Sequence, residues 1–184
     1  MRTYRISGVA GSLRKESLNR MALRIASRVA PSELQLSVFS GLGALPLFNP
    51  DFEGSPSAAV TEFKQTLDHA DALIIASPEY AHGISGVLKN ALDWLVSHEG
   101  FVNKPVAVFN TAPRSHHAID ALNEVLKTMS ANVVKPACCT VPMLGSTLEE
   151  NQMSSSEVIG LPLREALEAL AEALRELRDR KSSG

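Results

Sequence analysis

Apolar residues along this chain switch between two spacings, regularly enough to lay out its elements. Residues 4–10, Tyr-Arg-Ile-Ser-Gly-Val-Ala, read as a short strand ended by Gly11. From 18 to 29 the period becomes helical, with Leu18, Met21, Ala22 and Ile25 on one face and Pro31 as the stop. Residues 34–39 alternate with period two, as a second strand would. A long loop at 41–56 and a helix at 57–70 follow, the helix turning Val60, Phe63 and Leu67 inward. The continuous apolar run at 73–76 suits a strand covered on both faces. Beyond it the pattern predicts a helix at 85–97, a strand at 105–109, a helix at 116–130 and a fifth strand at 133–140. A C-terminal helix carries Leu163, Leu167, Leu170, Leu174 and Leu177, a stripe read as one face packed on a sheet. Its run is too short for a coiled coil. Residues 145–156 are polar and expected to be mobile, and the tail at 181–184 is expected to fray.

Strand and helix alternate about five times. That order predicts an α/β fold: one domain over 1–184, a parallel sheet, helices on both faces and right-handed crossovers. Such sheets bind ligands beyond the carboxyl ends of their strands, near the point where strand order reverses. The loops of interest therefore follow the strands at 4–10, 73–76 and 105–109.

Composition narrows the function classes. With 184 residues, 45% hydrophobic and 21% charged, the chain is an ordinary globular domain. A formal charge of −2 gives no electrostatic case for nucleic acid or an anionic membrane. No apolar run approaches the roughly 18 residues that span a bilayer. The N-terminus has no secretory apolar region, so a cytoplasmic address is expected. Cys138 and Cys139 are adjacent, which strains a disulfide, and no further cysteine exists to build a thiolate metal site. They read as small apolar residues in a strand.

The first loop, Gly11-Ser-Leu-Arg-Lys-Glu-Ser-Leu-Asn19, gathers two hydroxyls (Ser12, Ser17), a guanidinium (Arg14) and an amide (Asn19) just before a helix opens. A phosphate there would meet free backbone N–H groups, the positive helix end and a fork of donors. The loop lacks the Gly-Lys-Ser/Thr of a Walker motif and the Gly-x-Gly-x-x-Gly of dinucleotide folds, which points to a mononucleotide. The alternative is a plain helix start, with Ser17 as the cap and the other groups solvated.

The second loop is Ser77-Pro-Glu-Tyr-Ala-His-Gly-Ile-Ser85. Pro78 pins the turn off the strand, Tyr80 offers a flat face and a hydroxyl to a planar ring, and Gly83 is expected to admit a close backbone approach. Ser85 is placed as the cap of the next helix, Lys89 and Asp93 as a surface pair one turn apart, and Trp94 as core or interface.

These two stretches, "GSLRKESLN" and "SPEYAHGISGVLKNALDWL", with "LPLFNPD" at 45–51 between them, resemble the NADPH-dependent FMN reductase family. This flavodoxin-like group includes quinone, azo-dye and chromate reductases. The resemblance covers about residues 3–140. It implies a five-stranded parallel sheet in the order 2-1-3-4-5 with FMN at the strand ends. Ser12, Leu13, Arg14, Ser17, Leu18 and Asn19 would hold the phosphate, the two leucines through backbone. Pro78, Glu79, Tyr80 and Ala81 would run along the isoalloxazine, partly through main chain, and Thr111 and Ala112 would close the far side. Hydride would pass from NADPH or NADH through FMN to a small acceptor, with no catalytic side chain and no metal. The family also implies a homodimer or homotetramer.

Two departures stand out. Ser85 replaces the family's usual proline, and a serine cap can start a helix as a proline does. The loop after the fourth strand, Asn110-Thr-Ala-Pro-Arg-Ser-His-His117, has no glycine where the family is often serine- and glycine-rich. Arg114, His116 and His117 either shape the pocket or sit exposed in the first turn of a helix capped by Ser115, and His82 reads as a surface or interface group. Two other readings stay open. A flavodoxin-type carrier fits this near-neutral chain and Arg14 poorly. A flavin-free binding protein on the same fold draws its support from the unusual third loop.

Overall fold

Parallel pairing sets the architecture of the chain, whose computed structural model describes residues 3–114 and 116–182. In chain order the first elements are β1 (Tyr4–Ala10), α1 (Leu18–Val29), β2 (Leu34–Phe39), α2 (Ala58–Asp68) and β3 (Ala72–Ala76). Next come β4 (Glu79–Tyr80), β5 (Gly83–Ile84), α3 (Gly86–Asp93), β6 (Pro105–Asn110) and α4 (His117–Thr128). The last are β7 (Asn132–Val133), β8 (Cys139–Thr140), α5 (Glu150–Ser155) and α6 (Gly160–Ser182). The main sheet runs β2-β1-β3-β6-β7, with β8 also on β6. That is the flavodoxin-like order 2-1-3-4-5, in which β7 and β8 together are the fifth strand.

Each strand serves two cores because successive side chains point to opposite faces. On β3, Ala72, Ile74 and Ala76 face α1 and α6, whereas Leu73 and Ile75 face the side of α2, α3 and α4. Four leucines of the α6 stripe, Leu163, Leu167, Leu170 and Leu174, are buried against the sheet as expected, whereas Leu177 is only half-buried. Trp94 is core, its indole N–H donating to Pro46 O at 2.9 Å and its ring edge-on to Phe48. Asn90 receives Phe48 N–H at 2.8 Å and donates to Pro46 O at 3.0 Å, which pins the long 41–56 loop to α3.

Two expectations need correction. The strand expected at 133–140 is broken by a 3₁₀ turn at Lys135–Ala137, because Pro136 has no N–H to give the ladder. The thiol of Cys138 fills part of the gap, accepting from Val108 N–H at 3.3 Å. Residues 145–156 are not a bare loop. They include α5, started by a reciprocal capping box between Glu149 and Gln152 and anchored by buried Met153. The tail expected to fray ends outside the described residues at 183 and 184, and helix α6 runs through Ser182. Among the described residues no helix is long and apolar enough to cross a membrane.

Helix α5 is tied to α1 by charge. The Glu150 carboxylate takes a two-pronged contact from Arg24, the shorter arm 2.6 Å, and a second ion pair from Arg28 at 3.0 Å. The Arg24 hydrogen bond holds the Glu150 carboxyl below the ordinary value of 4.5 and raises the guanidinium. A depressed carboxyl contributes stability above its unfolded value and loses it as the pH falls through the folded one. With Arg24 41% exposed, solvent screening limits the pair to about 1 kcal/mol. Glu150→Gln should therefore lower the unfolding free energy at pH 7 by about 1 kcal/mol, read as a lower urea midpoint. The gap to wild type should shrink as pH falls below 4.5, as read by titrating both proteins across that range.

Candidate functional site

At the carboxyl ends of β1, β3 and β6, three connections converge on one crevice of about 190 Å³. It is lined by Ser12, Arg14, Ser17, Leu18, Asn19, Pro78, Glu79, Tyr80, Thr111, Ala112 and Leu144. Larger volume alone would favour a cleft of about 940 Å³ at the opposite end, beside Asp71, Lys104 and Arg178. The smaller crevice has the stronger chemical case. It lies where strand order reverses, and it collects a helix start and four buried polar side chains.

The first wall is the loop after β1. Gly11 donates to Ala76 O at 2.8 Å, which draws the loop against the end of β3. A Cβ at Gly11 would lie 2.7 Å from Ser77 Oγ and 3.1 Å from Ser85 Oγ, so only glycine fits. Ser12 Oγ accepts from Arg14 N–H at 3.3 Å and bends the loop back. Ser17 caps α1, accepting from Arg20 N–H at 3.3 Å. Cap and crevice lining are one residue, so the two readings of Ser17 are compatible. Asn19 Oδ1 accepts from Thr111 Oγ1 at 3.1 Å, both side chains being buried. This bond spans 92 residues and joins the first wall to the third.

The second wall is a tight hairpin that periodicity did not reveal. β4 and β5 pair antiparallel, Glu79 with Ile84 and Tyr80 with Gly83. Its two-residue turn is Ala81-His82, both left-handed at φ 48° and 59°. Gly83, expected to admit a close backbone approach, has no other part of the chain pressed against it. A Cβ there would meet nothing nearer than Tyr80 O at 3.8 Å. The Tyr80 side chain stands 52% exposed on the rim, and Ser85 caps α3 through Leu88 N–H at 3.3 Å, as expected.

The third wall follows β6. Asn110 Oδ1 accepts from Ala112 N–H at 3.0 Å and turns the chain, while Met143 and Leu144 return to donate to Thr111 O, each at 3.3 Å. Leu144 thereby enters the crevice. Pattern analysis missed it; the only signal is a bare leucine leading into a polar segment. Among the expected site residues, Leu13 and Ala81 do not line the crevice. Leu13 is exposed and leans toward Gly43, and Ala81 occupies the hairpin tip. His82 and His117 stack at 4.3 Å, with His116 against His117 at 4.1 Å. Ser115, expected to cap α4, lies outside the described residues.

No thiol is poised for chemistry. Burial pushes Cys139 up to about 12 and raises Cys138 as well, so both stay protonated at neutral pH. Among the described residues no group of three or more His, Cys, Asp or Glu is arranged to hold a metal.

Comparison with known proteins matches residues 4–143 to a family described as NADPH-dependent FMN reductase. The chain belongs to the NADPH-dependent FMN reductase family. Among relatives of this reductase-family chain is a 2-hydroxy-1,4-benzoquinone reductase of Burkholderia sp, 37% identical over 111 residues, covering 59% of this chain and 60% of that protein. A quinone reductase of Pseudomonas putida is 38% identical over 114 residues, covering 60% and 61%. The matched segments thus span about three fifths of those relatives' length. In fold, the family member resembles FerB, a flavoenzyme NAD(P)H:(acceptor) oxidoreductase from Paracoccus denitrificans. The TM-score is 0.73 at 22% identity, over 95% of this chain and 98% of that one.

The tight packing around Gly11 is directly testable. Gly11→Ala should displace Ser77 and the Ser85 cap and cost about 1–3 kcal/mol, read as a lower midpoint in urea unfolding.

Proposed function

We propose that this chain binds FMN in the crevice and is an NAD(P)H-dependent reductase of a small acceptor, a quinone, free flavin, azo compound or metal oxyanion. The observation that carries this reading is that ten residues which the family resemblance assigns to the cofactor, drawn from three loops, line one crevice. The family match and the quinone reductases among its relatives support the redox class.

The residues present suit the group. Ser12 and Ser17 line the crevice, and because each hydroxyl oxygen only accepts from backbone N–H, each keeps a proton to donate. Arg14 is exposed on the same loop and supplies the guanidinium fork that phosphate oxygens favour. The amino end of α1 adds backbone N–H groups and positive charge. Because Asn19 spends its carbonyl oxygen on Thr111, its amide N–H groups remain to donate. A volume of about 190 Å³ would take the phosphate end, and Tyr80 and Ala112 would flank the flat ring.

With FMN bound, the chemistry supplied is two-electron transfer from the nicotinamide to the acceptor. The protein's share is placement. Pro78 and the hairpin give a rigid edge, Tyr80 a flat surface, and Thr111 a fixed far side tied to Asn19. Correct stacking of two flat partners on that edge lowers the barrier without any side-chain nucleophile. Donor and acceptor share one open rim, so they take turns. The reading includes a cytoplasmic address and a homodimer or homotetramer, for which exposed Leu13, Leu47 and Phe52 offer apolar surface.

The test is to mix purified protein with FMN, NADPH and a quinone. Rapid NADPH oxidation is the expected result. Bound flavin without turnover would favour a carrier instead, and no change in the visible spectrum of added FMN would end the reading. Arg14→Ala should weaken FMN binding about 10- to 100-fold, as loss of a charge-assisted hydrogen bond does, with the unfolding midpoint unchanged because the side chain is exposed. A fluorescence titration of FMN reads that loss, and unchanged affinity would remove Arg14 from the site.

A further inference from the structure

We propose that Glu79 is a positioning residue that clamps the hairpin wall of the crevice to the start of α4, with His82 and His117 as the clamp's second contact. Its kinetic consequence rests on the reductase reading, whereas the clamp itself rests on geometry alone.

Helix α4 begins five residues after Ala112, so its amino end flanks the third wall. The N-cap residue, His116, makes no side-chain capping bond, and its Nδ1 lies instead 3.3 Å from Arg114 O. The cap comes from another wall. Glu79 Oε2 accepts from Ala118 N–H at 2.9 Å, across 39 residues of sequence. A carboxylate here satisfies one of the helix's first N–H groups and meets the positive end of its dipole.

Three residues further on, the His82 ring lies on His117 at 4.3 Å with only 21° between planes. His117 in turn lies 4.1 Å from His116. This contact holds a turn that resists its own residues. Ala81 and His82 both adopt positive φ, which side chains with a Cβ disfavour and which two-residue hairpins normally give to Asn-Gly. Tyr80 sits between the two contacts. The distance from Tyr80 to Ala112, the open rim on which flat partners would lie, is therefore set by Glu79 and His82 together. The phosphate end of the crevice, built on residues 11–19, is outside the clamp.

Hydrogen exchange on the full chain without flavin tests the geometry. In Glu79→Ala the Ala118 amide should exchange about tenfold faster, the loss expected of an N-cap, whereas Glu79→Gln retains an acceptor oxygen and should keep most of the protection. Kinetics tests the consequence: in Glu79→Ala the KM for a quinone should rise several-fold more than the FMN dissociation constant, and Glu79→Gln should recover it. His82→Ala, an exposed substitution that spares the fold, should raise the same KM. His82→Ala with His117→Ala together should do no more than either alone, because the two rings form one contact. Equal Ala118 exchange in wild type and Glu79→Ala would overturn the clamp. So would a Glu79→Gln variant as impaired as Glu79→Ala, or a KM and an FMN dissociation constant that rise in parallel. Should wild-type protein take up no FMN, the reductase reading fails, and the exchange measurement still decides the clamp by itself.

Discussion

Everything at the site depends on β1 and β3 being hydrogen-bonded neighbours whose following helices lie on opposite faces of the sheet. β1 pairs with β3 in parallel from Ile6–Ala72 to Ala10–Ala76. After β1 the chain turns to α1 on one face; after β3 it turns to α3 on the other. Two loops that diverge from adjacent strand ends leave a gap between them, and right-handed crossovers make that gap unavoidable in this strand order. The crevice is a product of topology before it is a product of side chains.

What the side chains add is closure of the gap into a defined shape. Gly11 permits the first loop to press on Ser77 and Ser85, so the first and second walls share a seam with no room for one methyl group. Asn19 and Thr111 bridge the first and third walls inside the protein, where a lost partner would leave a buried polar group unsatisfied. Glu79 bridges the second and third. Each pair of walls thus has a contact of its own kind: steric, neutral hydrogen bond and charge-assisted cap.

That arrangement suits a family in which the cofactor does the chemistry. A polar-floored crevice with an open rim suits holding and orienting, and the two thiols of the chain lie outside it and stay protonated at neutral pH. The glycine-free loop from Asn110 to His117, which differs from the family's habit, finds a physical role in this view. Instead of bending by glycine it turns on an Asn110 side-chain bond to Ala112 and leads to a helix capped from elsewhere. Rigidity comes from tertiary contacts, not from loop composition.

Sequence by itself determined the strand and helix order and the two-faced core, and pointed to the loops after three strands, whereas Thr111 and Ala112 entered only through the family resemblance. Local patterns carry that information: period two and 3.6, a Ser cap before an apolar run, polar groups ahead of a helix. Ser17, Ser85 and four leucines of the α6 stripe behaved as their spacing implied. Only the tertiary structure decided the rest, because it lies in contacts between residues far apart in the chain. Cys138 stands in for a ladder partner on a strand that Pro136 breaks, α5 is pinned by Arg24 and Arg28, and Leu144 reaches Thr111 by a return of the chain. Glu79 lines the crevice where its motif put it, and its carboxylate also accepts from a helix N–H 39 residues away. No periodicity encodes such a bond, since it exists only after the sheet has brought two loop ends within 3 Å of each other.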